Sequence, residues 1–342
     1  MKNKRIVIFN VNWLGDVLFS TAVIRNVRDN YPDSYIACVI PKRCNPVLEG
    51  NPYLNEIIIF DEKDTHKGLK SVLEFIRFLK SKKFDMAIFL HRSFSRALIA
   101  YLAGIPERIG YYTKKRGFLL TKKILSPDRD KMHRIDYYLN VIKSYGLAVK
   151  DRFSDFFVSS TDQLFVDNFL KERHIRENDL LVGINPGGNW YPKRWPSEYF
   201  SILADKLIRD FGFKVIITGS QADMALSQQI KSLMEEKPIL AAGVFNLKQM
   251  GALFERLDLF ITADTGPLHI ANSVGAKKII ALFGPTDISV TGPYPDTNCV
   301  IIQKNVGCKI PCYEVDCQAR RCMRAITPQD VLAQVQKIKW KK

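Results

Sequence analysis

Ile261-Thr262-Ala263-Asp264-Thr265-Gly266-Pro267-Leu268-His269-Ile270-Ala271-Asn272 is the stretch whose reading decides the fold. The apolar run from Leu259 to Ala263 has the length and unbroken hydrophobicity of a strand buried on both faces. It runs directly into a Gly-Pro step and a segment of small residues that reads as a helix. Pro267 suits the first helical turn, where the missing N–H costs nothing. The turn Asp264-Thr265-Gly266 then lies at the positive end of a helix dipole with backbone N–H groups facing outward, a setting suited to phosphate. His269, one turn inside the helix, is expected on the same side. The plainer reading is a helix capped by Asp264 or Thr265 with His269 packed beneath it.

The chain around this unit has 342 residues, enough for two domains that each bury a core. Its 46% hydrophobic and 25% charged content are those of a globular protein. No apolar run reaches membrane-spanning length, and Ile6 to Phe9 is too short for the core of a secretion signal, so a cytoplasmic protein is expected. The net charge of +16 is uneven: residues 1–160 carry 28 Lys+Arg against 16 Asp+Glu, and the remainder 23 against 19. A basic first half favours an acidic substrate, an anionic membrane surface or nucleic acid, although a solvated basic face explains charge alone.

Taken in order, the chain alternates strand and helix. Strands are expected at Arg5–Asn10, Tyr35–Ile40, Glu56–Phe60 and Met86–Leu90, with helices over Val17–Asn30 and Leu69–Lys80 between them. Such alternation implies parallel sheets with right-handed crossovers. Asn12-Trp13-Leu14-Gly15-Asp16 is the first strand-to-helix loop, where Gly15 admits close approach of a ligand and Asp16 stands either as a helix cap or as a base. His91-Arg92-Ser93-Phe94-Ser95-Arg96 forms a basic loop at another strand end, the edge where open parallel sheets bind ligands. The basic run continues through Arg108, Lys114, Lys115, Arg116, Lys122, Lys123, Lys131, His133 and Arg134, with Tyr111, Tyr112 and Phe118 interleaved. It reads as a solvated surface or as contact with a membrane interface or nucleic acid.

After helix Ile135–Tyr145 the pattern-poor region Lys150–Asp179 reads as the passage between domains, and the alternation then restarts. Strands are expected at Leu180–Asn185, Val215–Thr218, Ile239–Ala241 and Lys278–Phe283, and helices at Ser197–Phe211, Ala222–Met234 and Leu247–Arg256. Four turn-forming loops follow strands of this half: Asn185-Pro186-Gly187-Gly188 with Lys193 and Arg194 beyond it, Thr218-Gly219-Ser220, the opening stretch, and Phe283-Gly284-Pro285-Thr286. Any one is only a turn. Four at one edge of a sheet read as a nucleotide-phosphate pocket. Neither a P-loop nor a G-x-G-x-x-G fingerprint is present.

Leu14-Gly15-Asp16-Val17, Lys193-Arg194-Trp195-Pro196, the Asp264-to-Ala271 block, Phe283-Gly284-Pro285-Thr286 and a cysteine-rich tail together resemble the ADP-heptose:lipopolysaccharide heptosyltransferases over essentially the whole chain. The resemblance implies an α/β fold of GT-B type, two Rossmann-like doubly wound domains with a cleft between them. It assigns 1–160 to the acceptor, 161–325 to the nucleotide sugar, and leaves 326–342 as a final helix able to pack back towards the first domain. Asp16 matches the family's catalytic carboxylate and Lys193 a donor-phosphate contact that also assists transfer. Thr265, Gly266 and His269 match the diphosphate turn. Gly187, Arg194, Gly219, Ser220 and Asp264 complete the expected donor set, and Gly15, Arg92, Ser93 and Arg96 the acceptor set. The expected partners are ADP-heptose, a Kdo-lipid A or heptosyl core acceptor and the anionic inner leaflet, without nucleic acid.

Inverting transfer needs a base for the attacking hydroxyl and positive charge for the departing diphosphate. No D-x-D pair stands at a strand end, so the helix N-terminus and Lys193 are expected to do this without a metal or other cofactor. Another sugar nucleotide or surface glycan, and a non-catalytic polyanion-binding protein, are the alternatives. Cys308, Cys312, Cys317 and Cys322 lie within one 15-residue loop. Their spacing lacks the paired C-x-x-C of zinc ribbons and is read as a packed reduced loop, a redox-sensitive pair or a metal site. The last helix, from Thr327, ends in Lys337, Lys339, Trp340, Lys341 and Lys342, a basic end suited to anionic lipid.

Overall fold

The computed structural model describes residues 3–62 and 64–340. Lys2, Lys341 and Lys342 of the basic termini lie outside the described residues. The chain forms two compact units, Met1–Phe157 and Val158–Lys342.

In the first unit the apolar runs become six parallel strands: β1 Arg5–Phe9, β2 Tyr35–Ile40, β3 Glu56–Ile59, β4 Met86–Phe89, β5 Glu107–Tyr111 and β6 Lys122–Ile124. They lie in the order β3-β2-β1-β4-β5-β6. Parallel strands are covered on both faces, and β1 and β4 are accordingly buried almost throughout. The connecting helices include α1 Leu14–Asn30, α2 Leu69–Ser81, α3 Phe94–Leu102 and α4 Arg134–Tyr145. Chain order reverses between β1 and β4, so the loops leaving these two strands border the switch point where doubly wound sheets hold ligands.

The second unit repeats the plan with β7 Leu181–Asn185, β8 Lys214–Ile217, β9 Ile239–Leu240, β10 Leu259–Ala263, β11 Ile279–Phe283 and β12 Cys299–Gln303. The order is β12-β11-β10-β7-β8-β9, and the reversal falls between β7 and β10. Its helices include α5 Ser160–Glu172, α6 Ser197–Phe211, α7 Met224–Ser232, α8 Leu247–Arg256, α9 Gly266–Ser273 and α10 Pro328–Val335. The three- and four-residue spacing of Phe200, Leu203, Ala204 and Leu207 on α6 puts all four in one core with Ile184, Ile261 and Leu282.

Several readings are corrected. The pattern-poor passage 150–179 contains α5, started by a capping box between Ser159 and Asp162 and packed on α8 through Val166, Phe169 and Leu170. The basic run hides β5 and β6. Ile109 and Tyr111 turn inward while Lys122 and Lys123 stay exposed on an edge strand, where lysine discourages further pairing. Arg116, read within a solvated run, is fully buried and donates to the carbonyls of Tyr111 and His91. The final helix α10 buries Val331, Leu332 and Val335 in the core of the second unit beside α6. Trp340 packs edge-on to Phe213 at 4.9 Å, so this aromatic is committed to the fold.

Candidate functional site

The first unit presents a carboxylate at its switch point. The helix after β1 starts at Leu14, three residues earlier than the apolar spacing suggests, so Asp16 sits in the first turn of α1, where the dipole favours an anion. Its Oδ1 accepts a 2.6 Å hydrogen bond from the hydroxyl of Tyr138 on α4. Arg129 Nη2 stands 3.6 Å and Arg134 Nε 4.0 Å from the same oxygen. Among the described residues Oδ2 has no such partner, and the side chain is 19% exposed. Burial raises the Tyr138 hydroxyl far above its ordinary value, and the neighbouring carboxylate raises it further, so it stays protonated as a donor. Asp16, Trp13, His91, Arg92, Arg129 and Tyr138 border a cavity of about 180 Å³.

Of the expected acceptor residues, Arg92 is exposed at this cavity and Gly15 has open space where a Cβ would stand. Arg96 is a strut instead. It is 1% exposed, donates to the Asn10 carbonyl, and donates from Nη2 to Asn12 Oδ1 at 2.6 Å. It therefore fixes the loop that delivers Asp16. Ser93 caps α3 by accepting from the Arg96 N–H. His91, held by a 3.0 Å bond from the Ser93 N–H to Nδ1, is pushed down to about 4 by burial and by Arg96, Arg116 and Arg129. It is a neutral imidazole at physiological pH.

The loops expected to bind the donor stand at the switch point of the second unit. Lys193 crosses from the loop after β7 to the turn after β10. Its ammonium donates to Asp264 Oδ2 at 2.6 Å and to the Asp264 carbonyl at 3.0 Å. Asp264 is 3% exposed, with His269 Nε2 3.4 Å from Oδ1 and the Thr291 hydroxyl donating to Oδ2 at 3.3 Å. Burial opposes ionisation, but His269 and Lys193 outweigh it and hold the carboxyl far below the usual range. Asp264, expected among the donor contacts, thus aims the lysine and the histidine.

Thr265 is the N-cap of α9 and makes no side-chain cap bond; its hydroxyl donates back to the Ala263 carbonyl at 3.4 Å. In the first turn of α9 Pro267 has no N–H and the Leu268 N–H donates to the Thr265 carbonyl at 3.1 Å, which leaves the Gly266 N–H, in open space, for an incoming anion. Lysine has three donors, and two are fixed on Asp264.

The remaining residues expected in the donor set pack around this turn. Arg194 donates to the Gly188 carbonyl at 2.8 Å, and a Cβ at Gly188 would stand 3.0 Å from Thr265. A Cβ at Gly187 would come within 2.3 Å of Asp223 Oδ1, and one at Gly219, whose φ is +158°, within 2.8 Å of Asp223 Cβ. Ser220 donates to Asp223 Oδ2 at 2.6 Å in a capping box. Asp223 is thus the group around which both glycines close. Neither it nor Tyr138 stands among the site residues the sequence suggests. The Ser-x-x-Asp spacing from Ser220 signals the first, but nothing local links Tyr138 to Asp16, 122 positions away.

Cys308, Cys312, Cys317 and Cys322 form no disulfide with one another and line one cavity of about 80 Å³. Among the described residues no three His, Cys, Asp or Glu are arranged to hold a metal ion. Nor, among the same residues, is any helix long and apolar enough to cross a membrane.

Comparison with known proteins adds what geometry leaves open. The family model for glycosyltransferase family 9 (heptosyltransferase) matches residues 72–321. The chain is 30% identical to lipopolysaccharide heptosyltransferase 3 of Escherichia coli, covering 95% of each chain. To lipopolysaccharide heptosyltransferase 2 of Salmonella typhimurium it is 28% identical over 84% of this chain and 85% of the relative. The crystal structure of a family 9 glycosyl transferase from Veillonella parvula superposes with a TM-score of 0.90 at 28% identity, covering 98% of this chain and 97% of that one.

Proposed function

The chain belongs to glycosyltransferase family 9 and has the GT-B fold, and from that premise we propose that it moves heptose from ADP-heptose to the inner core of lipopolysaccharide. In this reading it acts as a heptosyltransferase II-like enzyme, with inversion at the anomeric carbon and without a metal. The observation that carries the reading is the uncapped start of α9 with Lys193 locked beside it by Asp264. The similarity to lipopolysaccharide heptosyltransferases supports the sugar and the acceptor.

Asp16 Oδ2 takes the proton of the attacking hydroxyl while Tyr138 holds Oδ1. The acceptor oxygen bonds to the anomeric carbon as the bond from that carbon to the diphosphate breaks. The electron pair leaves with ADP, whose charge meets the Gly266 N–H at the start of α9 and the third donor of Lys193. Arg92 gives an acidic sugar such as Kdo a charged partner.

Calorimetry with ADP, UDP and GDP, followed by transfer from ADP-heptose to a core oligosaccharide with and without a chelator, tests this. ADP preference and chelator-insensitive transfer are expected. Asp16→Asn is expected to lower turnover by roughly 10²–10⁴-fold with ADP affinity intact. Preference for UDP or GDP, or wild-type turnover in Asp16→Asn, refutes the reading.

A further inference from the structure

The edge of the first sheet that bears Asp16 also carries large apolar side chains that the fold leaves exposed. Trp13 after β1 is 69% exposed, Phe118 73% and Leu125 after β6 81%. Phe94, which opens α3 after β4, lies 6.3 Å from Phe118 ring to ring and is itself exposed. Large hydrophobic residues scattered singly are ordinary on a protein surface. These instead follow the carboxyl ends of the sheet's strands, and two of them touch.

The charge at this edge has one sign. Between His91 and Pro127 the sequence carries eight Lys and Arg and a single acid, Glu107. Three of the eight are engaged by the fold: Arg96 and Arg116 are buried, and Arg108 donates to the Leu119 carbonyl at 2.6 Å. Lys114 and Lys115, in the connection between Tyr112 and Phe118, are exposed, as is Arg92. Arg43, after β2, stacks 5.5 Å from the Trp13 ring. Aromatic and aliphatic tips flanked by lysines match the boundary between lipid headgroups and acyl chains, where rings sit at headgroup depth and cations meet lipid phosphates.

We infer that this edge is a membrane-docking surface: Phe94, Phe118 and Leu125 enter an anionic bilayer and Lys114 and Lys115 bind its phosphates. The surface stands on its own geometry, while its use rests on the proposed transfer to a lipid-anchored acceptor. Docked in this way, the Asp16 cavity lies close to the headgroup plane, and the acceptor's sugars reach it while its acyl chains stay in the bilayer.

The test is co-sedimentation of the full chain with phosphatidylglycerol–phosphatidylcholine vesicles and with phosphatidylcholine alone. It runs beside transfer assays on a water-soluble core oligosaccharide and on acceptor embedded in the same vesicles. Wild type is expected to bind the anionic vesicles, less so at high salt, and to leave neutral ones in suspension. Lys114→Glu with Lys115→Glu, and separately Phe94→Ser with Phe118→Ser, are each expected to weaken binding by about tenfold or more. Turnover on the soluble acceptor is expected to be unchanged, and turnover on the embedded acceptor to fall with binding.

Equal binding by wild type and both double variants overturns the inference, as does failure of wild type to bind anionic vesicles. Retention of the chain by single-stranded RNA in preference to vesicles overturns it too. If vesicles bind as expected but no heptose is transferred to either acceptor, the docking surface stands and the heptosyl reading fails.

Discussion

Replacing Asp264 by Asn tests whether the donor site is held together by one buried charge. The substitution keeps the shape and the backbone carbonyl but leaves Lys193 facing a neutral amide, with His269 and Thr291 losing the same partner. Breaking a buried ion pair costs about 3–5 kcal/mol. The Lys193 side chain is 18% exposed and regains some solvent, which points to the lower end, about 3 kcal/mol. For a unit the size of Val158–Lys342 each kcal/mol lowers the midpoint by roughly 2–4 °C, so scanning calorimetry is expected to show a loss of about 6–12 °C.

The pH dependence has a definite sign. The native carboxyl titrates well below its ordinary value of 3.8, so its contribution is present above about pH 4 and lost as pH falls towards the native value. The gap between wild type and variant is therefore expected to hold from neutral pH to about pH 5 and to narrow only in stronger acid. ADP affinity, read by titration calorimetry, is expected to fall with the loss of the lysine's anchor. A variant that melts within about 2 °C of wild type at pH 7 refutes the strut, because that bounds the contribution near 1 kcal/mol.

Tyr138→Phe removes the bond to Asp16 and leaves the ring; turnover is expected to fall about tenfold while stability changes by about 1 kcal/mol, read by initial rates beside urea melts. Unchanged turnover means Oδ1 needs no partner. For His91, a native value near 4 against an ordinary 6.5 means the unfolded chain takes up the proton first, so stability falls as pH drops from 6.5 towards 4. Urea titrations are expected to show His91→Gln gaining about 2 kcal/mol on wild type between pH 7 and pH 5, and parallel curves would show that the imidazole is protonated in place.

What the sequence makes legible follows from which signals are local. The β10 run and its Gly-Pro turn announce themselves, because burial on both faces needs an unbroken apolar strand and a helix start needs its own residue types. β5 and β6 are not legible in the sequence because Arg108, Lys122 and Lys123 break the hydrophobic run of strands near a sheet edge. α5 was hidden because its buried stripe is only Val166, Phe169 and Leu170. Arginines mislead most. Arg92 and Arg96 look alike in the sequence, yet one meets solvent and the other ties Asn10 to Asn12, a difference set by which way α3 turns. Likewise, that Asp264 aims Lys193 is visible only once residues 71 positions apart meet.

The matching strand orders of the two sheets have a consequence for how such a molecule diversifies. Each half carries loops after the first and fourth strands of the same ladder, and the paired residues of that ladder lie outside those loops. On the proposed assignment, changes within Asn10–Trp13 and Leu90–Ser93 alter acceptor contacts without touching Lys193, Asp264 and Gly266, which lie in the second unit.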